Sequence, residues 1–372
     1  MTTSWRTIGL LFLAGLFAAA QFAKIAVSLD ELAAQYPPDL VPWAVSALSI
    51  AGIVLGVVAG AIVAHFGARR VLLSALLAAA AASFLQALLP PFGVFMGLRV
   101  LEGLSHLAIV VAAPTLMIAS ASARDVPVAM GIWGTFFGVG FAGTAAVAQL
   151  VPSAGLLYTI HGAFGLLLFA GLAFDVPKRA PNPIGLSGVF ARHVSIYTSA
   201  RLAAPALGFF WHTLLFLGLL TFLPDFIGAW SAPLLPLIAL VGTFGAGWVA
   251  RYIAPRTLLL AGFGLTLALS AILLVIPGEP LVLIVFALLI VIGLVPGASF
   301  ANVPALNNGE GDQALANGAI AQLGNVGTAC SVPLMAAVSS FGLAGLLSAL
   351  IAISLLGLLN VWLIHRNLAF SP

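Results

Sequence analysis

Charge is what this chain has least of. Only 6% of its 372 residues are charged, against roughly 25% in a soluble domain, which excludes a water-soluble globular protein. Cysteine is nearly absent as well: Cys330 stands alone, so the chain has no intramolecular disulfide and no cysteine metal site. It carries no Gly-x-x-x-x-Gly-Lys-Ser/Thr loop, which excludes nucleotide-powered chemistry of that type. A His-Glu-x-x-His helix and a Gly-x-Ser-x-Gly elbow are also missing, so no enzyme class is indicated. No cofactor, nucleic-acid partner or obligatory protein partner is implied; the pI of 9.4 reflects basic residues at helix ends.

What is present is apolar length. The mean hydropathy is +1.21, and a helix needs about 20 apolar residues to cross a bilayer. Twelve such runs are expected at 7–28, 41–63, 71–89, 92–118, 127–150, 154–174, 201–223, 232–250, 257–276, 280–302, 314–338 and 342–364. The first is too long for a signal-peptide core and reads as a retained helix. Turn residues separate the runs, for example Pro37-Pro38, Pro90-Pro91 and Pro277-Gly278. The reading is an all-α membrane protein whose solvent is the lipid bilayer.

The basic residues give it an orientation. Arg6, Arg69, Arg70, Arg124, Lys178, Arg179, Arg192, Arg201, Arg251, Arg256 and Arg366 all fall in terminal or even-numbered inter-helix segments, and none in an odd-numbered one. Because basic loops stay on the cytoplasmic side, a multi-pass cytoplasmic-membrane protein with both termini inside is expected. The long polar stretch 175–200 then acts as a cytoplasmic linker between two six-helix bundles, 1–174 and 201–372. An internal repeat supports the division. Gly60-Ala-Ile-Val-Ala64-His65-Phe-Gly67-Ala-Arg69-Arg70 and Gly247-Trp-Val-Ala-Arg251-Tyr-Ile-Ala254-Pro-Arg256 occupy equivalent places and share Gly first and Arg tenth.

The first of these strings resembles the helix 2 to 3 signature of the major facilitator superfamily of secondary transporters, through Gly60, Gly67 and Arg69. Ala64 stands where that family has an acidic residue. Arg99-Val-Leu-Glu102-Gly103 is similar to the family's Arg-x-x-x-Gly signature, and Gly134, Gly138, Gly140 and Gly143 echo its helix 5 motif. The resemblance implies two pseudo-symmetric six-helix bundles, alternating access, and a cytoplasmic gate at Gly60, Gly67, Arg69, Arg70, Arg251 and Arg256. It also implies that helices 1, 4, 7 and 10 surround a central cavity.

Ionisable residues inside apolar runs are costly and mark candidate sites. Arg99, Glu102 and His106 fall at i, i+3 and i+7, on one helical face within about 60° of arc. Arg99 and Glu102 form either a structural ion pair or a proton-coupling pair in which Arg99 alternates between Glu102 and substrate. Lys24, sharing a face with Gln21 and Ser28, either lines the cavity or reaches the outer surface to pair with Asp30 or Glu31. In the second half, Trp211 and His212 lie in mid-helix, and Asn317, Gln322 and Asn325 offer amides on the eleventh run. The substrate-binding candidates are therefore Lys24, Gln21, Arg99, His106, Trp211, His212, Gln322 and Asn325. Two cations against one carboxylate, with Trp133, Phe136, Phe137 and Phe210 nearby in the reading, point to a small organic anion or planar heteroaromatic compound moved with protons. Efflux of hydrophobic drug-like compounds is the alternative within the class, and a non-transporting sensor or scaffold the alternative outside it.

Overall fold

The computed structural model describes residues 2–41, 43–176, 189–231, 233–276 and 281–369. Lys178, Arg179 and the Pro277-Gly278 turn lie outside these. In chain order the helices are α1 (Trp5–Ala26), α2 (Leu29–Gln35), α3 (Trp43–Phe66), α4 (Ala68–Ala87), α5 (Phe92–Ser120), α6 (Val126–Gly134), α7 (Phe136–Ala148), α8 (Ala154–Asp175), α9 (Val189–Thr198), α10 (Ala200–Phe222), α11 (Pro224–Ile227), α12 (Leu234–Val249), α13 (Pro255–Val275), α14 (Leu281–Leu306), α15 (Glu310–Ser339) and α16 (Gly342–Ala369). Among the described residues no strand occurs, as expected where lipid leaves backbone groups no external partner.

Nine described helices are long and apolar enough to cross a membrane, or ten when α6 and α7 count as one bent span. The other two expected runs also fall on helices. Helix α12 has only 16 residues, and α15, at 30, opens with Glu310 and Asp312 and carries several amides.

Local chemistry sets the helix ends. The Ser4 and Ser153 side chains accept from the backbone N–H groups of Thr7 and Leu156, capping α1 and α8. Pro255 sits in the first turn of α13, where its missing N–H costs nothing. Gly67 joins α3 to α4 at φ +86°, a conformation that strains any residue with a Cβ. The bend between α6 and α7 measures 43°. Gly134 precedes it, and the Thr135 hydroxyl donates back to the Ile132 carbonyl at 2.7 Å, a local bond that competes with the helical ladder.

The chain forms two compact units. The first comprises residues 1–122, 136–189 and 309–321; the second 123–135, 190–308 and 322–372. In the first, Ile25, Leu32, Phe95, Leu157 and Tyr158 belong to one apolar cluster. In the second, Leu215, Leu219, Leu288, Ile292, Met335 and Leu350 belong to another. Lipid tails are as apolar as these side chains, so close packing rather than water exclusion holds such helices together. The leading glycines of the two repeat strings show how. A Cβ on Gly60 would lie 2.8 Å from the Ala314 carbonyl oxygen of α15, and one on Gly131 of α6 would lie 2.6 Å from the Cα of Gly247 in α12. Both crossings close only because a side chain is missing.

Candidate functional site

The first unit buries three charged side chains against each other. Lys24 on α1, Arg99 and Glu102 on α5 all have no solvent exposure. Lys24 Nζ lies 2.5 Å from Glu102 Oε1, while Arg99 pairs with Glu102 Oε2 one turn away on the same helix. The i, i+3 pair read from sequence is thus half of the arrangement: one carboxylate is shared by two cations. Lys24 does not reach for the surface acids. Glu31 instead accepts from the Ala154 backbone N–H at 2.8 Å, helping to start α8.

Neutral groups complete the shell. Lys24 Nζ donates to Ser83 Oγ at 2.6 Å and Gln86 Oε1 at 2.9 Å, both on α4. Gln86 Nε2 donates to Glu102 Oε2 at 2.8 Å. Arg99 spends its remaining donors on backbone carbonyls, Nε on Ala44 at 2.8 Å and an Nη on Gln21 at 3.0 Å. Tyr158 on α8 presents its ring 5.1 Å from Lys24 Nζ, a cation–π contact. His161, also on α8, lies with Nδ1 2.7 Å from Ser83 Oγ and Nε2 3.0 Å from the Phe17 carbonyl, its ring stacked on Phe17 at 4.1 Å. Burying a charge costs several kcal/mol unless it is paired and hydrogen-bonded, and here every charged atom has a partner. The sum is nonetheless positive, two cations and one carboxylate.

Two further expected residues border this network. His106 hydrogen-bonds through Nδ1 to the Ala18 carbonyl at 2.9 Å and meets Phe22 edge-on at 5.0 Å. Gln21 is wholly buried, and neither atom of its side-chain amide has a partner among the described residues. Buried amides are normally satisfied, because an unpaired one costs about 1–3 kcal/mol.

The second unit holds the other expected residues in a different setting. His212 is buried on α10, stacked on Phe216 at 4.9 Å and Phe209 at 6.1 Å, and its Nδ1 has no partner among the described residues. Trp211 packs against the apolar clusters with its Nε1 likewise without one. Gln322 accepts the Tyr197 hydroxyl at 2.7 Å, so α9 docks on α15 there; burial pushes the Tyr197 phenol up to about 12. Asn325 is half-buried three residues further along α15. Asn317, in the part of α15 that belongs to the first unit, donates to Thr115 Oγ1 at 3.3 Å.

The expected gate residues have structural duties that differ from one another. Arg69 caps the end of α8, donating to the Val176 and Ala173 carbonyls at 2.9 and 2.8 Å, while Arg70 is exposed on α4. Arg256 is half-buried in the first turn of α13. Arg251 stacks 4.8 Å over Trp248 and pairs with Asp125 at 2.6 Å.

Sequence reasoning missed Ser83, Gln86, Tyr158, His161 and Asp125. For His161 a signal existed, since it is an ionisable residue inside the sixth apolar run. Asp125 carried no such mark, because it stands in a polar connection. Ser83 and Gln86 are uncharged and become notable only when α4 packs on α5.

A family model described as Major Facilitator Superfamily matches residues 11–331. No curated protein matches the chain in sequence. Among solved structures, the human organic anion transporter MFSD10 (TETRAN) superposes with a TM-score of 0.74 at 19% identity, covering 96% of this chain and 99% of that one. The proton:xylose symporter XylE gives 0.74 at 14% identity, over 99% and 96%. The E. coli fucose:proton symporter FucP gives 0.74 at 15%, over 96% and 97%. Identities this low carry the fold alone, whereas the family model spans most of the sequence: the chain belongs to the major facilitator superfamily.

Proposed function

We propose that the chain is a secondary active transporter that moves a small organic anion across the cytoplasmic membrane by alternating access, coupled to protons through Glu102. The observation that supports this reading most is the uncompensated positive charge of the buried network. Excess buried charge is expensive, and an anion is the ligand that would offset it. Lys24 and Arg99 would hold the anionic group, with the unused amide of Gln21 as a neutral donor and His106 beside it. Protonating Glu102 would free both cations from their shared partner. Trp211, His212, Gln322 and Asn325 of the second unit are proposed as further substrate-binding residues, and their aromatic content favours a planar compound. Both termini are placed in the cytoplasm on the strength of the basic-residue asymmetry. Gly60, Gly67, Arg69, Arg70, Arg251 and Arg256 are proposed to act in gating, and the Arg251–Asp125 pair gives that proposal a breakable contact.

The test is exchange of radiolabelled aromatic monocarboxylates, beginning with benzoate, in proteoliposomes at equal pH, with the matching amides as neutral analogues. Lys24→Gln takes the network from one net positive charge to none. It should weaken half-saturation by benzoate roughly tenfold, the equivalent of about 1.4 kcal/mol, and leave benzamide unaffected. Equal losses for both, or no saturable exchange of any carboxylate, would sink the reading.

A further inference from the structure

The Ser83 hydroxyl has one hydrogen and two neighbours that can take it. Lys24 Nζ donates to it at 2.6 Å; His161 Nδ1 stands 2.7 Å away and Glu102 Oε1 3.1 Å away. The far nitrogen of His161 removes the ambiguity. Its Nε2 faces the Phe17 carbonyl at 3.0 Å, a group that only accepts, so Nε2 carries a hydrogen and Nδ1 is the atom that gains or loses one. With Nδ1 bare, the Ser83 hydrogen can turn to it. With Nδ1 protonated, the imidazolium must donate to Ser83 Oγ, and the Ser83 hydrogen must then turn to Glu102.

We propose that His161 and Ser83 form a proton relay that charges and discharges Glu102, a role that rests on the reading of Glu102 as the coupling carboxylate. In the step, the Nδ1–H bond of His161 breaks as a new O–H bond forms on Ser83, and the original Ser83 O–H bond breaks as one forms on Glu102 Oε1. The imidazolium becomes neutral, the carboxylate becomes a carboxylic acid, and total charge is unchanged. Both transfers run within ordinary hydrogen-bond reach. The groups facing the relay are Lys24 and the Phe17 carbonyl from α1, Gln86 from α4, and Arg99 from α5, with Tyr158 one turn away on α8. Lys24 holds Ser83 from a third direction and fixes where its single hydrogen can point. The relay also fixes a stoichiometry. At rest the network holds two cations and one carboxylate; with one proton on Glu102 and one monovalent anion bound it again carries a single net positive charge. One proton per monovalent anion therefore leaves the buried charge as it was.

The experiment follows the Glu102 carbonyl by infrared absorption after rapid acidification of the full chain in lipid, without substrate. The band is assigned by its shift in Glu102→Asp, which keeps the charge. In wild type the carboxylic-acid band should rise quickly. Ser83→Ala should slow that rise roughly a hundredfold with the same final amplitude, Ser83→Thr should restore it, and His161→Gln, which retains an amide donor toward Phe17, should be as slow as Ser83→Ala. If Ser83→Ala does not fold, the His161→Gln rate decides alone. A rise at wild-type rate in these variants, or no band in wild type, overturns the relay. Because no substrate is present, failure of benzoate exchange would leave this result standing, and failure of the relay would leave benzoate exchange standing.

Discussion

In the first unit three charged side chains share one sealed network; in the second, the buried polar groups are hydroxyls, amides and the imidazoles of His212 and His365, and no Asp, Glu, Lys or Arg is fully buried among the described residues. The second unit has an ion pair, Arg251 with Asp125, but it is partly exposed; its fully buried polar contacts are neutral, among them Asn302 Nδ2 to His365 Nε2 at 3.1 Å and the Gly218 N–H to Ser331 Oγ at 2.8 Å. The two units are built on a repeated sequence pattern and make their tight helix crossings in the same way, so the contrast is not one of architecture. It lies in what each interior is asked to stabilise. Fully buried ionised groups need partners at every atom, and among the described residues the first unit supplies them from α1, α3, α4 and α5 at once. On the proposed function, coupling chemistry falls to the first unit and shape recognition to the second.

The strongest way to break this comparison is a double-mutant cycle. Glu102→Gln leaves two buried cations around a neutral amide and should cost about 3–5 kcal/mol in denaturation of the reconstituted protein. Lys24→Gln leaves the balanced Arg99–Glu102 pair and should cost about 1 kcal/mol. Adding Lys24→Gln to Glu102→Gln should recover part of the larger loss; strict additivity would mean the charges do not act as a unit. The same Glu102→Gln protein should still exchange substrate at equal pH but no longer accumulate it on an imposed pH gradient.

Packing should be symmetric where charge is not. Gly60→Ala in the first unit and Gly247→Ala in the second should each lose about 1–3 kcal/mol, because an added methyl meets backbone at both. Gly245→Ala, with open space around it, should instead gain up to about 1 kcal/mol from helix propensity. Thermal unfolding ranks the three, and a gain at Gly247 would contradict the close crossing. The smallest effect is expected at His212→Phe, which keeps the aromatic stack and removes one neutral polar group, for about 1 kcal/mol or less. A loss as large as that of Glu102→Gln would erase the distinction between the units.

Much of this was legible in the residues. In their described parts the expected apolar runs fall on helices, one of them on the bent pair α6 and α7, because bilayer thickness and backbone satisfaction leave few alternatives. The Arg99 to Glu102 pair was legible because i, i+3 neighbours meet on any helix. Its third member was not, since Lys24 and Glu102 lie 78 residues apart and only the packing of α1 on α5 joins them. Ser83 and Gln86 sit in an alanine-rich helix whose sequence gives no hint of a charged neighbour. The bend at Thr135 escaped notice because it involves no proline; a glycine and a hydroxyl suffice.

That bend has a mechanical consequence. The chain changes unit at five places, and one of them, residues 135–136, coincides with the bend. Because the helical ladder is already interrupted there, a change of angle at Thr135 gives up less backbone hydrogen bonding than the same change within a regular helix.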